Sequence, residues 1–177
     1  VEVQIINAFV DNDKGGNPAG VVLNADSLSN DQKLAIAGRV GLSETAFVSK
    51  SNTADFKLDF FTPTRQIAHC GHATIATFSY LSQLGEITTA RSSKETIDGR
   101  REILIRDGMA FMEQKAPQQL NINNERDAIL ESLGLNENDL LTKAPISVIN
   151  TGNAFVIIPV AGSDIMKRIK PDFDLIA

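Results

Sequence analysis

One cysteine and two histidines, the only residues of either kind in the chain, fall within the run His69-Cys70-Gly71-His72. A thiol at the start of a helix can be made acidic and nucleophilic by the positive end of the helix dipole. The competing reading is a buried structural cysteine, a common use of the residue. Two histidines three apart could open a zinc site, but no cluster of further cysteines or acids accompanies them, so no metal is expected. A second candidate, Glu44, sits in Ser43-Glu44-Thr45-Ala46-Phe47 and opens a run that then turns apolar. A half-buried carboxylate there would have a raised pKa and could serve as general acid or base. Left exposed, it would be an ordinary strand-end glutamate.

The segment that must carry the Cys-Gly-His group is itself unusual. From Gln66 to Gly85 there is no Lys, Arg, Asp or Glu. A helix on a protein surface normally has a charged face. Here Ala73, Thr74, Ala76, Thr77, Ser79 and Ser82 occupy those positions, which predicts a helix over about 71–84 buried on nearly all sides. Its free N-terminal amides and dipole favour an anion at the end where Cys70, Gly71 and His72 lie.

Around this helix the pattern predicts strands at Val1–Val10, Val21–Leu23, Glu44–Lys50, Asp55–Phe61, Glu95–Ile97, Arg101–Arg106 and Met109–Lys115. In Asp55–Phe61, the residues Phe56, Leu58 and Phe60 alternate with Lys57 and Asp59, as in a half-buried strand. Asp11–Gly20, with Gly15-Gly16-Asn17-Pro18, reads as a turn-rich loop and lacks the spacing of a phosphate or dinucleotide loop. Ser29 and Gln32 form a capping-box pair, and Gly41 stops the helix they start. Asp98-Gly99 is a hairpin signal. Ala116-Pro117 marks a boundary between a domain at 1–117 and an incomplete second one at 118–177. That second part holds a helix near Glu125–Leu133, the turn Thr151-Gly152-Asn153, a strand at Phe155–Val160 and a final segment, Met166–Ala177.

Composition narrows the partners. A net charge of −5 and a sequence of 177 residues give no electrostatic case for nucleic acid or an anionic membrane. A single cysteine allows no internal disulfide and fits a reducing compartment. Neither a membrane span nor a signal peptide is expected from the hydropathy pattern, so the expected location is cytoplasmic.

Three motifs taken together, Gly16-Asn17-Pro18-Ala19-Gly20-Val21-Val22, Ser43-Glu44-Thr45-Ala46-Phe47, and Phe61-Thr62-Pro63-Thr64 leading into Cys70-Gly71-His72-Ala73-Thr74, resemble in order and spacing the PhzF-like phenazine-biosynthesis isomerases. The resemblance is firm over about residues 1–115 and looser to 177. It implies an α+β, diaminopimelate-epimerase-like fold, with a curved mixed or antiparallel sheet wrapped around a central buried helix at about 71–84. It also implies that Glu44 shuttles the proton in a cofactor-independent isomerisation of a small carboxylate-bearing substrate. Asn17, Cys70, Gly71 and His72 would bind that substrate.

Two departures from the family are visible. Gln66 stands where members often have an acid. Residues 118–177 lack the acidic residue and Gly-Ser-Ala-type helix start of the family's second half, so the sequence has about two-thirds of the family's length. Inactivity of the chain alone is expected, with either a homodimer or a missing C-terminal half completing it. Two other functions remain open. Cysteine-dependent amino-acid racemases also place their thiol in a Cys-Gly-His context, though they need a second cysteine. The third is a non-catalytic ligand-binding or assembly domain.

Overall fold

The computed structural model describes residues 1–176 apart from Asp13, Asn121 and Asn123. Asp13 of the expected loop, Asn121 and Asn123 of the second part, and Ala177 of the final segment lie outside the described residues. The chain divides into two units, Val1–Gln114 and Lys115–Ala177.

The first unit begins with strands β1 (Gln4–Asp11) and β2 (Lys14–Val22), which pair antiparallel with Asn7 opposite Pro18. The expected loop at Asp11–Gly20 is therefore mostly strand. Two local features let that sequence extend. Gly16, at φ 91°, lies so close to β1 that a Cβ there would sit 2.8 Å from Val10 Cγ2 and 3.0 Å from the Ala8 carbonyl oxygen. Among the described residues, Pro18 lies on a stretch of β2 paired with β1 alone, because the next strand joins β2 from Gly20 onward. A missing N–H is tolerated at such an edge.

Helix α1 (Asn30–Val40) starts as its sequence predicts. The Ser29 hydroxyl accepts from the Gln32 amide, the Gln32 side chain accepts from the Ser29 amide, and Gly41 ends the helix at φ 68°. Removing the cap hydroxyl with Ser29→Ala is expected to destabilise the unit by about 1 kcal/mol, read as a lowered denaturant midpoint with an unchanged slope.

The sheet continues through β3 (Thr45–Ser49), parallel to β2, and β4 (Phe56–Phe61), antiparallel to β3. The short β5 (Gln66–Ile67) folds back on β4 and delivers the chain to α2 (Gly71–Gln83). After it, β6 (Arg91–Thr96) pairs parallel to β4, then β7 (Gly99–Arg106) and β8 (Met109–Met112) complete the order β1-β2-β3-β4-β6-β7-β8. The hairpin turn is Ile97-Asp98, one residue earlier than expected, with Gly99 at φ 100° as the first residue of β7. A second tight turn, Asp107-Gly108, has positive φ at both positions.

This mixed, curled sheet encloses α2. Strands β1, β2, β3, β7 and β8 all pack on the helix. Ala73, Thr74, Ala76, Thr77 and Phe78 are at most 1% exposed. Thr74 and Thr77 satisfy their buried hydroxyls by donating to the carbonyls of Cys70 and Ala73, one turn back. That device lets a polar residue occupy a helix with no wet face. The stripe Gly71, Ile75, Ser79 and Gln83, spaced by four residues, opens onto a groove of about 570 Å³ bounded by Asn7–Val10 and β8, and Tyr80 borders a second groove beside Val21–Asn24.

The outer face of the sheet is covered as well. Phe47 and Phe61 meet edge to face at 5.6 Å and form, with Val22, Ala25 and Ala37, a second apolar cluster beneath α1. Asp59, read from its alternation as a solvent-side residue of β4, is instead buried, accepting from Lys33 of α1 at 2.6 Å. The alternation was real, but α1 supplies the polar partner that water would otherwise have been.

The second unit comprises β9 (Gln118–Leu120), α3 (Arg126–Ser132), β10 (Ser147–Asn150), β11 (Ala154–Ile157) and two short helices, α4 (Ser163–Arg168) and α5 (Phe173–Ile176). Its strands pair in the order β11-β10-β9. Leu130, Leu135, Leu140 and Ile146 form a small core. Arg126 clasps Glu137 with two nitrogens, and Arg168 holds the buried Asp139 at 2.7 Å. All four residues of β11 are exposed, Phe155 to 60%.

Candidate active site

Three of the five residues singled out in the sequence meet at the N-terminal end of α2. Glu44 lies just before β3, and its carbonyl accepts from the Gly20 amide of β2 at 3.1 Å. That close approach depends on Gly20, where a Cβ would lie 2.8 Å from the Thr45 hydroxyl. The anchored backbone projects the Glu44 carboxylate to 3.4 Å from His72 Nε2, with the side chains 21% and 11% exposed respectively. On the other edge of the same ring, Cys70 Sγ lies 3.4 Å from Nδ1. Gly71 links the cysteine to the histidine and borders the groove along α2. Asn17 is exposed on β2, three residues before Gly20, and no hydrogen bond among the described residues joins it to the other four. Gln66 points away, its amide oxygen accepting from Asn30 at the start of α1.

Of the two readings of Cys70 that the sequence left open, its surroundings favour the buried, un-ionised thiol. Burial raises the Cys70 pKa from 9.0 to about 11, with the Glu44 charge adding to the rise. The Ala73 and His72 amides pull the other way, as the helix end should, but desolvation outweighs them. The group at neutral pH is a thiol, not a thiolate.

Glu44, Cys70 and His72 place one donor atom each within 4.8 Å of one another, a set whose chemistry suits a metal ion such as zinc. The orientation is poorer than the distances. Sulfur faces Nδ1 while the carboxylate faces Nε2, and an imidazole binds one ion through one nitrogen. The three therefore read better as a line of proton-bearing groups than as a cage.

Directly beneath lies a residue that sequence reasoning passed over. Lys94 of β6 is fully buried. Its ammonium donates to Thr74 Oγ1 at 2.7 Å and lies 5.2 Å from the centre of the Phe60 ring. Thr74 in turn donates to the Cys70 carbonyl at 2.6 Å. Burial lowers the Lys94 pKa from 10.5 to about 7; the nearby Cys70 and Asp98 raise it and Arg101 lowers it. The alternation rule offered no signal, since Arg91-Ser92-Ser93-Lys94 contains no apolar residue.

Known proteins share this arrangement of segments. Residues 6–177 match the family model PhzC-PhzF, phenazine biosynthesis-like protein. YfhB of Bacillus subtilis, described as an uncharacterized isomerase, is 35% identical over 97% of this chain and 60% of its own. YddE of Salmonella typhimurium, described likewise, is 36% identical over 98% of this chain and 58% of its own. The crystal structure of a Bacillus anthracis phenazine biosynthesis protein of the PhzF family aligns with a TM-score of 0.82 at 36% identity, over 96% of this chain and 59% of that one. A predicted epimerase from Pseudomonas aeruginosa shares the fold at a TM-score of 0.81 and 18% identity, over 98% of this chain and 64% of that one. The chain thus spans about 60% of the length of these curated relatives. With a curled sheet wrapped on an uncharged helix and nearly its whole length matched, this chain belongs to the PhzC-PhzF family of phenazine biosynthesis-like proteins.

Proposed function

We propose that the protein is an isomerase that moves a proton on a small carboxylate-bearing substrate, with Glu44 as the acid/base and without an organic cofactor or metal. The observation that carries this reading is the placement of the Glu44 carboxylate beside His72, at the uncharged N-terminal turn of a helix sealed from water over most of its surface. Glu44 takes a proton from a carbon next to an unsaturated or carboxyl-bearing centre. The charge that develops is met by the positive end of α2 and by the His72 ring, and Glu44 then returns the proton at the new position. His72, Cys70, Gly71 and Asn17 serve to hold the substrate. Relatives described as isomerases support the reaction class.

The cysteine-dependent alternative is disfavoured by a thiol whose pKa is pushed up to about 11 and by the lack of a second cysteine in these 177 residues. Because the chain spans about 60% of the curated relatives, we also propose that residues 1–177 alone do not turn over substrate. A longer polypeptide or a second copy of the chain would supply the other wall of the site. Deuterium uptake from heavy water into a panel of small cyclic and amino carboxylates, followed by NMR, tests the reading. Loss of uptake in Glu44→Gln with retention in Cys70→Ser supports it. Loss in Cys70→Ser with retention in Glu44→Gln favours the racemase chemistry, and no uptake by any form of the protein favours a binding domain.

A further inference from the structure

The thiol and the carboxylate approach opposite nitrogens of one imidazole, Sγ at 3.4 Å from Nδ1 and Glu44 Oε2 at 3.4 Å from Nε2. A neutral imidazole carries one N–H and one lone pair, and its surroundings decide which nitrogen holds which. With Nδ1 protonated, the ring would aim its lone pair at a carboxylate and its N–H at a protonated sulfur, a weak acceptor. With Nε2 protonated, the S–H of Cys70 donates to Nδ1 and the Nε2–H points toward the negative charge.

The sulfur is held firmly enough to choose. Cys70 is 5% exposed, and its carbonyl accepts from Thr74, whose oxygen accepts from the buried Lys94. Nε2 itself is buried and makes no hydrogen bond among the described residues, although Glu44 stands at ion-pair distance. It is therefore a ring nitrogen whose bonding capacity is still unused.

We propose that Cys70 is a positioning residue: its S–H donates to Nδ1 and fixes His72 as the Nε2–H tautomer, so that the ring presents an N–H donor to the space beside Glu44. The substrate group that this donor suits is an acceptor oxygen, such as that of a carboxyl or carbonyl group. The catalytic weight of this donor rests on the isomerase reading, but the tautomer itself does not.

The test is spectroscopic and needs no substrate. With histidine labelled in nitrogen-15, only two rings contribute, and His69→Gln identifies the signals of His72. At a pH where the ring is neutral, the wild-type chain shows Nδ1 as the lone-pair nitrogen and Nε2 as the N–H. Glu44→Gln removes the carboxylate's own preference and keeps that tautomer. Glu44→Gln with Cys70→Ala lowers the ratio of Nε2–H to Nδ1–H about fivefold, the worth of one net hydrogen bond. Glu44→Gln with Cys70→Ser, which restores an O–H donor, recovers it. An Nδ1–H ring in the wild type overturns the proposal. So does loss of the preference in Glu44→Gln alone, an unchanged ratio on adding Cys70→Ala, or failure of serine to restore it. If the alanine variant does not fold, Cys70→Val in the Glu44→Gln background, which fills the buried position without a donor, takes its place and should lower the ratio in the same way. A fixed tautomer in this chain, together with no proton exchange by the longer or assembled form that supplies the other wall of the site, would sink the isomerase reading and leave this one standing.

Discussion

Glu44→Gln is expected to lower turnover by about 10²–10⁴-fold, the contribution of one well-placed acid/base. At about 1.4 kcal/mol per factor of ten, that is a loss of roughly 3–5 kcal/mol of transition-state stabilisation. The substitution keeps the shape of the side chain and leaves a polar amide facing His72, but it removes the atom that takes the proton. Substrate affinity should change far less than turnover, because the positive end of α2 and His72 remain. Stability should barely change. Glu44 is 21% exposed, and its approach to His72 is at 3.4 Å without a hydrogen bond. The comparison that matters is with Cys70→Ser in the same assay, carried out in whichever form of the polypeptide turns substrate over. Full activity in Glu44→Gln would remove the glutamate from the chemistry. A matched loss in both variants would mean that the measurement reports disturbance of the helix start and not proton transfer.

How much of this was legible in the sequence depended on whether a residue's partners were local. The cap of α1 was readable, since Ser29, Gln32 and Gly41 make their bonds within the helix they delimit. So was the burial of α2, because the lack of charge from Gln66 to Gly85 is a statement about surroundings written in one segment. The family motifs marked Glu44, Cys70 and His72, and the fold brings these three together.

What could not be read was polar burial set by distant partners. Asp59 looks like a surface residue until Lys33, 26 positions earlier, is placed over it. Ser92 and Ser93 of β6 both donate to Asp55 Oδ2, so a strand with no apolar residue in its first half is satisfied inside the fold. The sequence could not choose between the two readings of the Cys70 thiol for a related reason. The dipole of a helix end can be inferred from position, whereas the depth of burial that opposes it comes from five strands.

Lys94 is the most consequential of these hidden residues, and Lys94→Met should make the protein more stable at neutral pH. A lysine with an ordinary pKa of 10.5 in the unfolded chain and about 7 in the fold is held at a cost, mainly the loss of hydration on burial. One unit of such a difference corresponds to about 1.4 kcal/mol, so the burden at and below pH 7 is on the order of a few kcal/mol. The sign follows from proton counting. Between pH 7 and 10.5 the unfolded chain carries the proton and the folded one does not, so stability rises with pH there. Cys70 acts in the opposite sense above pH 9, where the unfolded thiol ionises while the buried one keeps its proton to about 11. The lysine effect is therefore clean only from about pH 7 to 9. Denaturant titrations across that window should show stability climbing in the wild type and nearly flat in Lys94→Met, with the variant's advantage largest at the acid end. Methionine fills a similar volume and leaves Thr74 bonded to the Cys70 carbonyl, so the packing against Phe60 is kept. A variant less stable than the wild type at pH 7, with the climb intact, would show that the buried ammonium is held by interactions stronger than its hydrogen bond to Thr74 and its place beside the Phe60 ring.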